Sequence, residues 1–215
     1  MNFIFTFLAA GVVEEGIKFV PVLYARYRYG KVSGVGGKER SVRERERSYI
    51  DFAIAGTLGF GVVEALGFLY GICGMEGKGI GRGMLVVMVL ERVAGQMGHL
   101  ATGILSAVRA TRRDFYDEDG ERTSGDGKTK WWWVVGPSAL YHGFSDFVAL
   151  SASALDGNVG FIHPRGVKLV VSMIGVIGCI WGAAGWQTWR EWEGLDELDR
   201  EAAGKKAKIS VEKSE

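Results

Sequence analysis

The stretch GVVEEGIKF, residues 11–19, places two adjacent carboxylates and a lysine inside a run that is otherwise apolar from residue 3 to residue 24. A run of this length and composition is typical of a membrane-spanning helix. A charge at the bilayer centre costs about 2.5–3.5 kcal/mol, so Glu14 and Glu15 need a shared proton, a cationic partner or a water-filled cavity. Lys18 follows one helical turn later and can pair with either carboxylate. A functional site is one interpretation, and a self-neutralising pair that only fixes helix packing is the other.

Composition alone would fit a soluble protein, because 47% of the 215 residues are hydrophobic and 24% are charged. The arrangement does not, since the charges form blocks between long apolar runs. The net charge of +1 gives no indication of a nucleic-acid partner. The two cysteines, Cys73 and Cys179, have no CxxC spacing and indicate neither a disulfide nor a zinc framework.

Five apolar runs of roughly 20 residues predict an all-α fold, a polytopic membrane helix bundle with the lipid bilayer as its surroundings. The predicted spans are residues 3–24, 49–72, 83–108, 131–153 and 167–189. The bundle would occupy residues 1–190, with cytosolic loops at 26–48 and 109–130, and residues 191–215 would form a polar, partly disordered cytosolic tail. Both loops are rich in Lys and Arg, which sets this orientation.

Tryptophans cluster at two predicted span ends, where they indicate an interfacial belt. They are Trp131, Trp132, Trp133, Trp181, Trp186, Trp189 and Trp192. The second and third spans are rich in glycine, which predicts close helix contacts. The sequence therefore predicts an integral, multi-pass membrane protein and does not specify which membrane.

Ionisable side chains occur inside four of the five predicted spans, and each must be accommodated within the bundle. Counted from the cytosolic ends at a rise of about 1.5 Å per residue, five of them fall in one slab near the membrane midplane. These five are Glu14, Glu15, Glu64, His99 and His142. Arg92 and Asp146 lie slightly farther towards the outer side and could pair with each other.

This set of residues can support more than one chemistry. A buried carboxylate can act as a general base, and histidines can stabilise an oxyanion, carry a proton or bind a metal. Two histidines and a glutamate could supply a zinc site with one open position, which makes Glu64, His99 and His142 candidate metal ligands. The sequence contains neither HExxH nor GxSxG, so the strong local signals of a zinc protease or a serine hydrolase are absent.

Four short motifs occur in order on separate predicted spans. They are EExxK at residues 14–18, GFxxxE at 59–64, an arginine at 92 followed by a histidine at 99, and HxxxD at 142–146. In this order they resemble the PrsW family of intramembrane proteases, which is related to the CPBP group that includes the CAAX prenyl proteases. The family often has Asn after the GFxxxE glutamate, where this chain has Ala65. It also usually has spans before the EExxK helix, and this chain starts there.

The resemblance implies an intramembrane peptidase that cleaves a peptide bond of a membrane-protein substrate. It implies that Glu14 or Glu15 activates water, that Glu64 supports this base or shares its proton, and that His99 and His142 bind the oxyanion or a divalent metal such as zinc. Lys18, Arg92 and Asp146 would be supporting residues. Related enzymes have been described both with and without a metal.

Two other functions fit the same residues. A proton-coupled transporter could use the Glu and His groups as a relay, although the sequence shows none of the inverted repeats that transporters often carry. A non-catalytic membrane binding or scaffold protein could keep the same fold. Transport of a label into sealed vesicles would identify the first, and function that survives loss of Glu14 and Glu15 would identify the second.

Overall fold

Five helices make up the computed structural model, which describes residues 2–27, 42–73, 82–116, 130–157, 164 and 166–212. Helix α1 consists of three consecutive segments, Asn2–Phe5, the π-helical Thr6–Glu14, and Glu15–Ala25. The others are α2 (Val42–Cys73), α3 (Arg82–Phe115), α4 (Trp131–Leu155) and α5 (Val167–Glu212). The predicted all-α class is confirmed.

Helix α3 is central and packs against each of the other four helices. Helix α1 lies against α2, α3 and α4, whereas α5 packs on α3 and α4. The polar positions of α1, α3 and α4 are thereby brought face to face. The three helices that carry EExxK, the Arg–His pair and HxxxD consequently meet at one place.

Three helices extend into segments that the sequence predicted as loops or tail. Helix α2 begins at Val42 and α3 ends at Phe115, so helical structure enters both predicted loops, 26–48 and 109–130, of which residues 28–41 and 117–129 lie outside the described residues. Helix α5 continues to Glu212 through most of the predicted tail. Arg and Glu are good helix formers, and Arg109 Nη2 binds Glu191 Oε1 at 2.7 Å, which ties α3 to the extension of α5.

The molecule exposes apolar side chains and buries polar ones along α1. Val12, Val13 and Ile17 are more than half exposed, whereas Glu15 and Lys18 are buried. Large exposed apolar surfaces mark contact with a membrane or a partner. Two described segments are long and apolar enough to cross a membrane, Arg47–Gly71 within α2 and Val167–Glu201 within α5. These features support membrane association, and the five-span arrangement remains a prediction.

The apolar core lies near the C-terminal end of α1. It contains Phe19 of α1, Tyr49 of α2 and Val108 of α3, together with residues of α4 and α5. Trp131 packs here, with its ring 5.5 Å from that of Phe19, so it is not part of an exposed belt. Trp181 also departs from the predicted belt, because it faces the histidines described below. The tryptophans that are more than half exposed, as a belt requires, are Trp132, Trp133, Trp186 and Trp189.

Asp114 ties three helices together beside this core. Its carboxylate accepts hydrogen bonds from Arg26 Nε at 2.8 Å and from Tyr49 Oη at 2.9 Å, and it also pairs with Arg113. Charge-assisted bonds of this kind are stronger than bonds between neutral groups. The carboxylate therefore fixes the ends of α1, α2 and α3 relative to one another.

Helix α1 approaches α4 closely at Gly11, and this contact gives a testable prediction. A Cβ atom at Gly11 would lie 2.6 Å from Ala139 O, whereas one at Gly16 meets no described atom within 4 Å. Gly11→Ala should lower the free energy of unfolding by about 1–3 kcal/mol, because the added methyl group overpacks the contact. Gly16→Ala, on the same helix, should raise it by up to about 1 kcal/mol through helix propensity.

Denaturant unfolding of both variants in detergent would measure the two effects. Equal stability of the Gly11 and Gly16 variants would contradict the close approach of α1 and α4.

Candidate active site

Four buried ionisable side chains from three helices form one cluster, which we call the inner cluster: Glu15, Lys18, His99 and His142. Lys18 Nζ lies 2.6 Å from Glu15 Oε1, 2.7 Å from His99 Nδ1 and 3.3 Å from His142 Nδ1. Each of the four residues is at most 5% exposed. One ammonium group thus links α1 to both α3 and α4.

Glu15 is the most heavily bonded carboxylate of the site. Besides Lys18, its Oε1 lies 2.9 Å from His142 Nδ1 and 3.2 Å from Thr102 Oγ1. Thr102 follows His99 by three residues, so the same face of α3 contacts Glu15 twice, directly and through Lys18. The sequence interpretation did not include Thr102, although its position one helical turn after His99 is the signal that could have found it.

A second group of residues lies at the Nε2 edge of the two histidines, beside a cavity of about 460 Å³. Glu64 and Arg92 are joined there by an ion pair of 2.8 Å between Oε1 and Nη1. The other carboxylate oxygen of Glu64 lies 2.9 Å from His99 Nε2. Arg92 also stacks over the ring of Phe68, with Cζ 4.3 Å from the ring centroid. Glu64 therefore connects the cavity wall to the inner cluster through His99.

His142 likewise connects the inner cluster to carboxylates outside it. Its Nε2 lies 3.4 Å from Glu14 Oε2 and 3.7 Å from Asp146 Oδ2. Glu14 Oε2 is buried but forms no hydrogen bond with any described residue. A buried carboxylate oxygen without a partner is costly unless a water, an ion or a substrate group supplies the missing bond. Glu14 Oε2 is thus the atom of the network best placed to accept a hydrogen bond from a water or a substrate group.

Trp181 closes the site from α5. Its ring centroid lies 6.1 Å from those of both His99 and His142, and it contacts α3 at Gly98, where a Cβ atom would collide with the indole. The cavity lining also includes small or apolar residues such as Ala149 and Ile177. The sequence assigned Trp181 to the interface, and only the packing of α5 on α3 reveals its place here.

All eight candidate residues belong to one network of contacts: Glu14, Glu15, Lys18, Glu64, Arg92, His99, His142 and Asp146. One predicted pair is wrong. Arg92 binds Glu64 rather than Asp146, and no Arg92–Asp146 ion pair forms in the described part of the chain. Glu64 reaches Arg92 because α2 packs directly on α3.

Two groups of side chains have the composition of a metal site. The inner group is Glu15, His99 and His142, and the outer group is Glu14, His142 and Asp146; within each, the ligand atoms lie within 4.8 Å of one another. The predicted set of Glu64, His99 and His142 is replaced by these, since Glu64 belongs to neither group among the described residues. Glu64 contacts His99 at Nε2 and not at Nδ1.

The two groups differ in whether a cation can enter. The inner group could hold a metal by its ligand types, but Lys18 Nζ already contacts all three of its ligand atoms. The outer group offers one imidazole nitrogen and two carboxylates, a donor set that suits zinc. Its His142 is backed by Glu15 at the other ring nitrogen, as in carboxylate–histidine–metal arrangements.

Comparison of the chain with protein-family models, with curated proteins and with solved structures finds no match. The likeness to intramembrane proteases therefore rests on the four short motifs and on nothing broader. What the site does has to be argued from its own geometry.

Proposed function

We propose that the chain is an intramembrane endopeptidase that hydrolyses a peptide bond of a membrane protein with a water molecule activated by Glu14. One observation carries the proposal: Glu14 Oε2, which has no hydrogen-bond partner among the described residues, lies 3.4 Å from His142 Nε2. A water molecule that donates to Glu14 and contacts His142 would stand beside the cavity, where a substrate can reach it.

Glu14 suits the role of base better than Glu15. The Glu15 side chain is 1% exposed, and its Oε1 is surrounded by Lys18, Thr102 and His142. The Glu14 side chain is 29% exposed and keeps one oxygen without a partner. A base has to reach the water whose proton it accepts, and of these two carboxylates Glu14 meets this requirement. Glu15 instead orients His142.

The proposed reaction proceeds by general base catalysis. Glu14 takes a proton from water while the water oxygen forms a bond with the carbonyl carbon of the substrate. His142, whose Nδ1–H binds Glu15, carries a second proton on Nε2 and donates from there to the oxyanion that results, as oxyanion-hole donors do. The C–N bond then breaks, and Glu14 returns the proton to the leaving nitrogen. His99, Glu64 and Arg92 hold the opposite wall of the cavity.

Substrate access is the second reason for proposing a peptidase. The cavity of about 460 Å³ is lined by residues of α2, α3, α4 and α5, with small side chains such as Ala94, Gly95 and Gly178. The cavity surface is largely apolar, which fits an extended segment of a membrane protein, and Glu64, Arg92 and Asp146 on the same wall could contact the polar backbone of that segment.

Purified protein in liposomes, incubated with a library of single-span peptides, tests the proposal. Mass spectrometry should detect peptide products with wild type and none with His142→Ala. Folded protein that cleaves no peptide in the library, but binds one of them with unchanged affinity after Glu14→Gln, would contradict the proposal and indicate a scaffold. Movement of a proton-coupled label into the same liposomes would indicate a transporter.

Chelation gives a separate prediction about the metal. Peptide cleavage should persist after EDTA treatment and dialysis, because the water is activated by Glu14 and the inner group is filled by Lys18. A zinc ion would be held by Glu14, His142 and Asp146, where it would acidify a bound water. Loss of cleavage on chelation, restored by Zn²⁺ in wild type but not in Asp146→Asn, would contradict the metal-free reaction.

A further inference from the structure

Lys18 stands in an unusual place for a lysine. Its side chain is 1% exposed, and its ammonium nitrogen lies among three candidate metal ligands that come from three different helices. The distances from Nζ to Glu15 Oε1 and His99 Nδ1, 2.6 and 2.7 Å, are those of strong charge-assisted hydrogen bonds. The third partner, His142 Nδ1, is 3.3 Å away.

The ammonium group is matched to this surrounding. It has three N–H donors and no acceptor; Glu15 Oε1 and His99 Nδ1 accept two of its hydrogen bonds, and His142 Nδ1, which donates to Glu15 Oε1, lies beside the third N–H. Its remaining side faces the ring of Phe60, whose centroid lies 5.0 Å from Nζ, a distance typical of cation–π contact. A buried Lys18 thus has protein groups on every side of its charge.

We propose that Lys18 is the permanent cation of this site, occupying the position at which Glu15, His99 and His142 would otherwise bind a divalent metal. The carboxylate and two imidazole nitrogens are zinc-type ligands with atoms within 4.8 Å of one another. A metal would draw them to about 2.0–2.2 Å from a common centre, and that centre is taken by Nζ. The inference concerns binding and does not depend on the proposed hydrolysis.

The lysine also fixes the state of His99. Because an ammonium group only donates, His99 Nδ1 has to accept its hydrogen bond. The proton of the neutral ring is then on Nε2, which faces Glu64 Oε2 at 2.9 Å. A metal bound at Nδ1 would give the same ring orientation, so Lys18 performs the positioning that a metal performs in a metalloenzyme.

Removal of the ammonium group should therefore create a metal site. Lys18→Ala leaves Glu15 without its cation and leaves an opening between the three ligands. We expect the purified variant to bind one Co²⁺ with the visible absorption of a tetrahedral ion, and Co²⁺ or Zn²⁺ to raise its unfolding temperature. In wild type the inner group should give neither the Co²⁺ absorption nor a rise in unfolding temperature.

Two double variants separate the inner group from the outer one. Lys18→Ala/His99→Ala removes a ligand of the inner group only and should abolish the Co²⁺ absorption. Lys18→Ala/Asp146→Asn removes a ligand of the outer group only and should keep it. A folded Lys18→Ala protein that binds no Co²⁺ would overturn the proposal. The proposal would also be overturned if wild type bound Co²⁺ and the His99→Ala substitution abolished that binding.

A measurement on wild type keeps the proposal testable if Lys18→Ala does not fold. The chain contains three histidines, so ¹⁵N spectra of histidine-labelled protein can be assigned with His163→Gln and His142→Gln variants. We expect His99 to carry its proton on Nε2, with an unprotonated Nδ1, and to keep this state when Zn²⁺ is added. A proton on His99 Nδ1, or a shift of that nitrogen on adding Zn²⁺, would overturn the role assigned to Lys18.

Discussion

Replacing Glu14 by Gln is expected to slow peptide cleavage by about 10²–10⁴-fold while leaving the free energy of unfolding close to that of wild type. The amide has nearly the shape of the carboxylate but cannot accept the proton of the attacking water. The stability should change little, because Glu14 is partly exposed and its Oε2 has no hydrogen-bond partner among the described residues. Cleavage rates under single-turnover conditions would separate loss of chemistry from loss of binding.

Glu91→Gln is the matched control for this experiment. Glu91 lines the same cavity from α3 but contributes to neither metal group, so its loss changes the charge of the wall and not the base. The control variant should cleave at nearly the wild-type rate. If the two variants lost activity equally, the effect would come from the charge of the cavity, and Glu14 would not be the base. Near-normal cleavage by Glu14→Gln would point to the same conclusion.

The sequence singled out the eight candidate residues because each one breaks an apolar run. Helix geometry then determines which neighbours share a face: Glu15 and Lys18 are three residues apart, and His142 and Asp146 are four. The same geometry could not say which of the adjacent Glu14 and Glu15 is buried. That depends on where the π-helical segment of α1 ends, at Glu14, and a π register leaves no simple trace in composition.

Contacts between distant segments were the part that the sequence could not supply. Lys18 reaches His99 and His142 across 81 and 124 residues, and nothing in the local pattern distinguishes this from a plain Glu–Lys pair. Depth along the helices correctly placed Arg92 near the site but suggested the wrong partner, because depth contains no information on which helices are neighbours. The position of Trp181 depends on the packing of α5 in the same way.

The helix ends were misjudged for a different reason. Alternating Arg and Glu are as common in solvated loops as in exposed helices, so the pattern at residues 43–47 does not choose between them. The continuation of α5 past the apolar span is stabilised by pairs such as Arg109–Glu191, which join it to α3. A single-sequence argument does not contain these partners, and it therefore ended each helix where the apolar residues end.

Glu15→Met should be the most destabilising single substitution in the inner cluster, lowering the free energy of unfolding by about 3–5 kcal/mol. Glu15 and Lys18 are each 2% exposed, and the methionine would leave the lysine charge buried without its carboxylate. Thr102 and His142 would lose the same acceptor. Reversible unfolding by denaturant in detergent, followed by circular dichroism, would measure the loss, with Gly16→Ala as a variant of the same helix that keeps the cluster.

The double variant Glu15→Met/Lys18→Met shows whether the loss comes from an uncompensated charge or from packing. Replacing both members of a buried ion pair by apolar residues of similar volume is often nearly neutral, whereas removal of one member is not. We therefore expect the double variant to recover most of the stability that Glu15→Met loses. It should still cleave no peptide, because His142 loses the carboxylate that orients it. Equal instability of single and double variants would mean that shape, rather than the buried charge of Lys18, maintains the contact between α1, α3 and α4.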